Sequence, residues 1–167
     1  VPRRSVALGT IRLLVLDVDG VLTDGRLYYG PEGERHKVFH VRDGAGIKAV
    51  RAAGMHVAVI SGRNSAATAL RCAELGIAEV LQGVDDKAAA LQALCNRLGL
   101  AARQCACIGD DTPDIALFRI AGCAVAVADA HAEARRAAHR CTTLRGGHGA
   151  VREVCDWLLA ARRPRAT

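Results

Sequence analysis

Five short, nearly continuous apolar runs recur along the chain, separated by longer stretches with helical spacing. The first is Arg12-Leu13-Leu14-Val15-Leu16-Asp17, and residues 55–60, 78–81, 104–108 and 122–127 repeat the type. A strand apolar on both faces must be covered on both, as in a parallel sheet sandwiched by helices. Helical patterns over roughly 44–53, 64–75, 86–98 and 112–121 supply those layers. Gly54, Gly76 and Gly99 stand where three of these helices should stop, positions that tolerate left-handed backbone. The alternation predicts an α/β fold with a doubly wound, mostly parallel sheet. At 167 residues it predicts a single domain over 1–167, with its core at about 11–161. Val154, Trp157, Leu158 and Ala161 mark the buried stripe of a last amphipathic helix, and residues 1–10 and 162–167 read as loose termini.

One segment breaks the rhythm. Between Arg26 and Val41, two alternating β-prone runs flank Gly30-Pro31-Glu32-Gly33, which is a turn signal. The spacing predicts a β-hairpin directly after the first strand, where a helix would ordinarily follow. An isolated two-stranded ribbon is marginal and needs something to lean on. Leu27, Tyr29, Val38 and Phe39 are therefore candidates for a subunit interface.

The chemistry concentrates at strand ends. Six of the eleven aspartates fall in Asp17-Val18-Asp19-Gly20-Val21-Leu22-Thr23-Asp24 and Gly109-Asp110-Asp111-Thr112-Pro113-Asp114. In an open α/β sheet, ligands bind beyond the carboxyl ends of the strands, near the point where strand order reverses. Packed carboxylates raise one another's pKa unless a cation neutralises them. A hard divalent ion answers that need, and Mg2+ suits a site that also holds phosphate. Asp17, at the strand end, can attack phosphorus. Asp19, two residues on, can give a proton to the leaving oxygen and take one from water. Ser61 in Val59-Ile60-Ser61-Gly62-Arg63 can bind a phosphoryl oxygen through its side chain and the backbone N–H groups of the turn. Lys87, opening a helix after Asp85-Asp86, is placed to hold both the phosphate and the Asp17 carboxylate. Asp24 and Asp111 suit capping and loop-bracing, and Asp114, one turn beyond Asp110, suits support of the metal from behind. Arg63 and Arg71 lie about two turns apart; they either converge on a substrate carboxylate or lie on a solvated helix face.

Composition excludes several other classes. Net charge is +6, from 20 Arg and only three Lys (Lys37, Lys48, Lys87), but five aromatics leave little for base stacking. No nucleic-acid partner is expected. No stretch approaches 18 uncharged apolar residues, so no membrane span is expected either. Seven cysteines, scattered without a C-x-x-C framework, point to reduced thiols and a cytoplasmic protein. Cys105 and Cys107 alternate within a strand and read as small buried apolar residues, while His131 and His139 read as surface residues.

Asp-x-Asp-Gly-Val-Leu-Thr-Asp, a strand ending Ser-Gly-Arg, then Lys87, then Gly-Asp-Asp-x-x-Asp, in that order, resembles the haloacid dehalogenase superfamily. The hairpin after the first motif and the absence of a cap insertion narrow the resemblance to a capless branch. So do His40-Val41-Arg42-Asp43-Gly44 and Gly146-Gly147-His148-Gly149-Ala150-Val151-Arg152-Glu153. The resemblance implies a phosphatase acting on a phosphorylated eight-carbon keto-sugar acid in lipopolysaccharide synthesis. It makes Asp17 nucleophile and metal ligand, Asp19 acid/base and a backbone-carbonyl ligand, and Asp110 the third ligand of Mg2+. Ser61 and Lys87 hold the phosphate. Substrate contacts fall on Asp19, His40, Val41, Arg42, Asp43, Gly44, Lys48, Arg63, Arg71 and Lys87. It also implies a homotetramer built through the hairpins, with a neighbouring subunit helping to cover each site. A nine-carbon keto-sugar-acid phosphate or a broad phosphatase is the nearest alternative. A phosphorelay receiver would carry its phosphorylated aspartate after the third strand, where this chain has Gln82-Gly83. An end phosphatase of nucleic acids would show steep salt dependence.

Overall fold

The computed structural model describes residues 5–162. Six strands form one sheet: β1 (Leu13–Leu16), β4 (His56–Ile60), β5 (Glu79–Leu81), β6 (Cys105–Gly109), β7 (Cys123–Ala126) and β8 (Arg140–Cys141). Their spatial order is β5-β4-β1-β6-β7-β8, with every pairing parallel. β1 lies at the centre, in register with β4 through Leu16↔Val59 and with β6 through Leu16↔Ile108. The chain winds outward from β1 to β5, returns to β6 on the other side, and winds outward again. The strand order therefore reverses between β1 and β6, where both acidic motifs end.

β1, β6 and β7 are buried at every position, the consequence of helices on both faces. Those helices are α1 (Val41–Ala52), α2 (Ala66–Glu74), α3 (Lys87–Leu98), α4 (Ile115–Ile120), α5 (Ala132–Ala137) and α6 (Ala150–Arg162). One cluster of buried side chains runs from Ile11 to Leu158, and Cys105 and Cys107 are wholly buried in it. α1 packs closely on α6 because Gly46 presents no side chain; a Cβ there would lie 3.1 Å from that of Cys155. Gly54, Gly76 and Gly99 all carry positive φ just past helix ends, and Gly99 is the C-cap of α3.

Between β1 and α1, the described chain makes only the antiparallel ribbon β2 (Tyr28–Gly30) and β3 (Gly33–His36). Leu27, Tyr29 and Val38 are exposed (46%, 64% and 55%), as an interface face would be. Phe39 departs from that expectation, since it packs against the core. The ribbon already leans on its own chain: Glu34 accepts hydrogen bonds from Ser65 Oγ (2.9 Å) and Arg63 Nη2 (2.8 Å) ahead of α2.

Several other expectations need correction. Of the supposed loose termini, 1–4 and 163–167 lie outside the described residues, but 5–10 are packed. Val6 and Leu8 lie on the core, and Val6 N–H donates to Gly122 O. Arg162 is the last residue of α6 and donates to the carbonyls of Ala53 and Ile11. Ala161 is exposed rather than part of the buried stripe. The 112–121 stretch splits into a 3-10 turn at Thr112–Asp114 and the short α4, the turn being capped by Asp111 with Pro113 inside it. α1 starts at Val41, three residues early, because the His40 side chain caps it by accepting from Arg42 N–H (3.3 Å). α5 and β8 were not legible, being six and two residues long and largely exposed. His139 is half-buried, its Nδ1 accepting from Ala124 N–H at 2.8 Å.

Candidate active site

At the carboxyl edge of β1, β4 and β6 lies a cavity of about 300 Å3, lined by Asp17, Asp19, Ser61, Arg63, Lys87 and Asp110, among others. Asp17 directly follows β1 and keeps the sheet ladder, its N–H donating to Ile108 O at 3.2 Å. Val18 turns into the core (1% exposed), so Asp17 and Asp19 both face the cavity. The chain then coils back on itself, with the Val18 carbonyl accepting from Leu22 and Thr23. Buried Thr23 Oγ1 accepts from the N–H groups of Gly20 and Gly25. Gly20 is required twice over: its φ is +84°, and a Cβ there would strike the Asp110 carboxylate.

Lys87 is the cation that faces Asp17. Only 6% of its side chain is exposed, and Nζ lies 3.1 Å from Asp17 Oδ1 and 2.7 Å from Asp114 Oδ1. It opens α3, where a positive charge opposes the helix dipole, so the two carboxylates must hold it. Burial works against its charge, yet Asp17 and Asp114 outweigh burial and its pKa stands above the ordinary lysine value. Asp114 is 1% exposed and fully used: Oδ1 accepts from Lys87, Oδ2 from the N–H groups of Asp110 (2.9 Å) and Asp111 (3.3 Å). It braces the second acidic motif from behind. Asp111 accepts from Thr112 N–H and Asp24 from Arg26 N–H, both as loop braces.

Asp17, Asp110 and Asp114 offer oxygens within 4.8 Å of one another. Counting protein charges only, burial and then the neighbouring Asp17, Asp114 and Asp111 push Asp110 to about 8. Burial and then Asp114 push Asp17 to about 6, against the pull of Lys87. Three carboxylates and one lysine leave a deficit of positive charge, and an all-oxygen donor set fits a hard divalent cation.

Ser61 directly follows β4 and is buried, but its N–H is committed to Leu81 O (2.9 Å). Its Oγ accepts from Arg63 N–H at 3.4 Å. The backbone donors expected at this turn therefore reduce to Gly62, with the Ser61 hydroxyl still able to donate.

The substrate residues expected from the 40–48 segment do not line this cavity. His40 is the cap of α1, Val41 is 77% exposed, and Lys48 is exposed on the same helix. Arg42 lines a different cavity of about 580 Å3 with His148 and Arg152. Asp43 is 1% exposed and Oδ1 accepts from Arg152 N–H (2.8 Å), so within this chain it caps the start of α6. Burial raises its pKa, and Oδ2 is buried without a hydrogen-bond partner. Gly44 is buried against Arg71 and Leu75. Arg71 pairs with Glu74 (3.2 Å) while Arg63 lines the cavity, so the two arginines do not converge.

Sequence reasoning missed Glu34 and Lys37. Lys37, just beyond β3, has 2% of its side chain exposed and pairs with Asp19 and, at 3.2 Å, with Glu34. Arg63 in turn contacts Glu34 (2.8 Å) and Asp19 (3.7 Å). Hydrogen bonds from Ser65 and Lys37, with the charges of Lys37 and Arg63, overcome the effect of burial and hold the Glu34 carboxyl below its ordinary value. A signal was present: in a chain of 20 Arg, two of the only three Lys are buried in this site.

Comparison with known proteins agrees with this geometry. A haloacid dehalogenase-like hydrolase family model matches residues 70–153, half of the chain and the part holding Lys87 and Asp110. The chain is 47% identical over 152 residues to the 3-deoxy-D-manno-octulosonate 8-phosphate phosphatase of Escherichia coli K12, covering 91% of this chain and 81% of that one. Among solved structures, the same phosphatase from Moraxella catarrhalis, in complex with magnesium, phosphate and the KDO molecule, superposes with a TM-score of 0.91. It is 43% identical, covering 93% of this chain and 90% of that chain. A cobalt-bound form from Haemophilus influenzae gives 0.92 at 43% identity, over 94% and 92%. With its acidic motifs converging where the strand order reverses, this chain belongs to the haloacid dehalogenase-like hydrolases, in the branch that contains the 3-deoxy-D-manno-octulosonate 8-phosphate phosphatases.

Proposed function

We propose that this protein is a phosphoric monoester hydrolase that converts 3-deoxy-D-manno-octulosonate 8-phosphate to 3-deoxy-D-manno-octulosonate and phosphate, a step of lipopolysaccharide synthesis. The observation that carries the reading is the buried Asp17–Lys87 pair (3.1 Å) at the strand-order reversal, with Asp110 and Asp114 gathered against it. Similarity to the named phosphatases supplies the substrate.

Asp17 attacks phosphorus, its Oδ–P bond forming as the ester O–P bond breaks. Lys87 fixes the attacking carboxylate and offsets charge on the phosphoryl oxygens, with the Ser61 hydroxyl donating to one of them. Asp19 gives its proton to the departing sugar oxygen, then as carboxylate takes one from the water that attacks the phospho-aspartate. That second displacement releases phosphate and restores Asp17. Asp17, Asp110 and the Asp19 carbonyl would hold Mg2+, which neutralises the gathered carboxylates and draws charge from the phosphoryl group.

His40 to Gly44, Lys48 and Arg71 lie outside the cavity of their own chain, which supports a reading in which they serve a neighbouring subunit's site. The exposed Leu27, Tyr29 and Val38 then join copies through the hairpins, as a tetramer. We read the chain as one domain, and place it in the cytoplasm because its seven cysteines are scattered without a C-x-x-C framework. Among the described residues no helix is long and apolar enough to cross a membrane.

The test is phosphate release from 3-deoxy-D-manno-octulosonate 8-phosphate with magnesium, against a panel of sugar phosphates that includes a nine-carbon keto acid. Strong preference for the eight-carbon substrate, abolished by EDTA and by Asp17→Asn, is expected. Even turnover across the panel would keep the mechanism and discard the substrate, while absence of turnover would refute both. Sedimentation of the wild-type protein against a Tyr29→Glu variant tests the assembly.

A further inference from the structure

Asp19, Lys37, Glu34 and Arg63 close a ring of alternating charge on one side of the cavity. Lys37 Nζ contacts Asp19 Oδ1 and Glu34 Oε2, the latter at 3.2 Å. Arg63 reaches Glu34 Oε2 at 2.8 Å and Asp19 Oδ2 at 3.7 Å. The ring is anchored to α2 by the Ser65 hydroxyl, which donates to Glu34 Oε1 at 2.9 Å. Lys37 is its least exposed member, at 2% of the side chain, against 15% for Glu34, 22% for Asp19 and 36% for Arg63.

A buried ammonium is a costly group to keep for ribbon stability alone, since a hydrophobic side chain would fill the same space without desolvation. Lys37 does what a hydrophobic residue cannot: it occupies one oxygen of Asp19 and so sets the rotation of that carboxylate. Oδ2, which Arg63 approaches only to 3.7 Å, beyond hydrogen-bond distance, is left as the oxygen that can exchange a proton at the cavity.

We propose that Lys37 is a positioning residue for proton transfer by Asp19, so that the β2–β3 ribbon contributes to catalysis within its own chain as well as to assembly. The proposal rests on the acid/base reading of Asp19. A general acid matters most when the leaving oxygen is a poor one. An alkyl or sugar phosphate needs the proton as the O–P bond breaks, whereas p-nitrophenolate departs without much help. Misorienting Asp19 should therefore slow the first class far more than the second.

The experiment measures kcat and KM for Lys37→Met, Asp19→Asn and the double variant, on the sugar phosphate and on p-nitrophenyl phosphate, with magnesium. Lys37→Gln, which keeps a hydrogen-bond donor, is the second variant should Lys37→Met fail to fold, as judged by its urea midpoint. We expect Lys37→Met to lower kcat on the sugar phosphate about tenfold more than on p-nitrophenyl phosphate, part of the 10²–10⁴-fold that general acid–base catalysis supplies. KM should change little, and Lys37→Met should add little in the Asp19→Asn background. Equal losses on both esters, or a full further loss in the double variant, would overturn the proposal and leave Lys37 a phosphate-binding or purely structural group. If Asp19→Asn itself fails to discriminate between the esters, the acid/base reading fails first and carries this one with it.

Discussion

Replacing Lys87 by Met tests the electrostatic logic of the site in its most exposed form. Met keeps most of the buried volume and removes the one cation, among the described residues, in contact with both Asp17 and Asp114. At contacts near 3 Å, each pair attracts by about 5 kcal/mol at an effective dielectric near 20, much of which the desolvation of lysine cancels. Removing one partner of a buried pair nevertheless costs about 3–5 kcal/mol, because the surviving charge is stranded. In a domain of this size that is a fall in Tm of roughly 10 °C. The pH dependence is the sharper part. The pKa of Lys87 is raised, so its contribution is complete below the ordinary lysine value and is lost only as pH climbs past it. Across pH 5–8 the lysine stays charged, and the variation comes from the carboxylates. Asp17 stands at about 6 with the lysine present and rises further without it, so at pH 5 it can take a proton and relieve the strain. The loss in Lys87→Met should therefore be near its full size at pH 8 in EDTA, smaller at pH 5, and partly reversed by magnesium at pH 8. Urea unfolding at the two pH values measures all three. A loss below about 1 kcal/mol at pH 8, or one of equal size at pH 5, would refute the argument.

Metal-free wild type should itself lose stability as pH rises from about 4 toward 8. Asp17 and Asp110 are raised to about 6 and about 8, so the unfolded chain releases those protons first; magnesium should flatten the slope in urea midpoints. Gly20→Ala should destabilise by at least about 1–2 kcal/mol from the left-handed backbone alone. It should also weaken magnesium binding in calorimetry, because the added carbon displaces the Asp110 carboxylate. Asp43→Ala should cost about 1–2 kcal/mol of stability as a lost helix cap. Its turnover of p-nitrophenyl phosphate should stay within about twofold of wild type by the same capping argument, and a collapse would show that Asp43 reaches the reacting atoms.

Where apolar runs were long enough to show period and burial, the sequence was sufficient. The five longer strands and the doubly wound parallel sheet were readable because strands covered on both faces are continuously apolar, and the ribbon because alternating runs flank a turn signal. β8 and α5 were not, since two and six residues with mostly exposed side chains carry no pattern. The acidic motifs and Lys87 were readable because each sits at a strand end or helix start, and strand ends of an open sheet share one edge.

What the linear order could not disclose is which side chains from distant segments meet. Residues 40–48 share a motif, yet packing of α1 against α6 turns Asp43 into a cap for Arg152, 109 residues away. Arg63 and Arg71 have spacing for a common face, yet Arg63 lies ahead of α2, held by the ribbon, and Arg71 packs against Gly44. Lys37 belongs to no motif along the chain, yet the ribbon folds it beneath Asp19 and Glu34. The sequence determined the sheet, the nucleophile's place on it and the acidic edge, because these follow from local periodicity and strand direction. Only the tertiary structure decided which charges neutralise which, because a buried ion pair is set by the approach of two elements, and neither element alone encodes it.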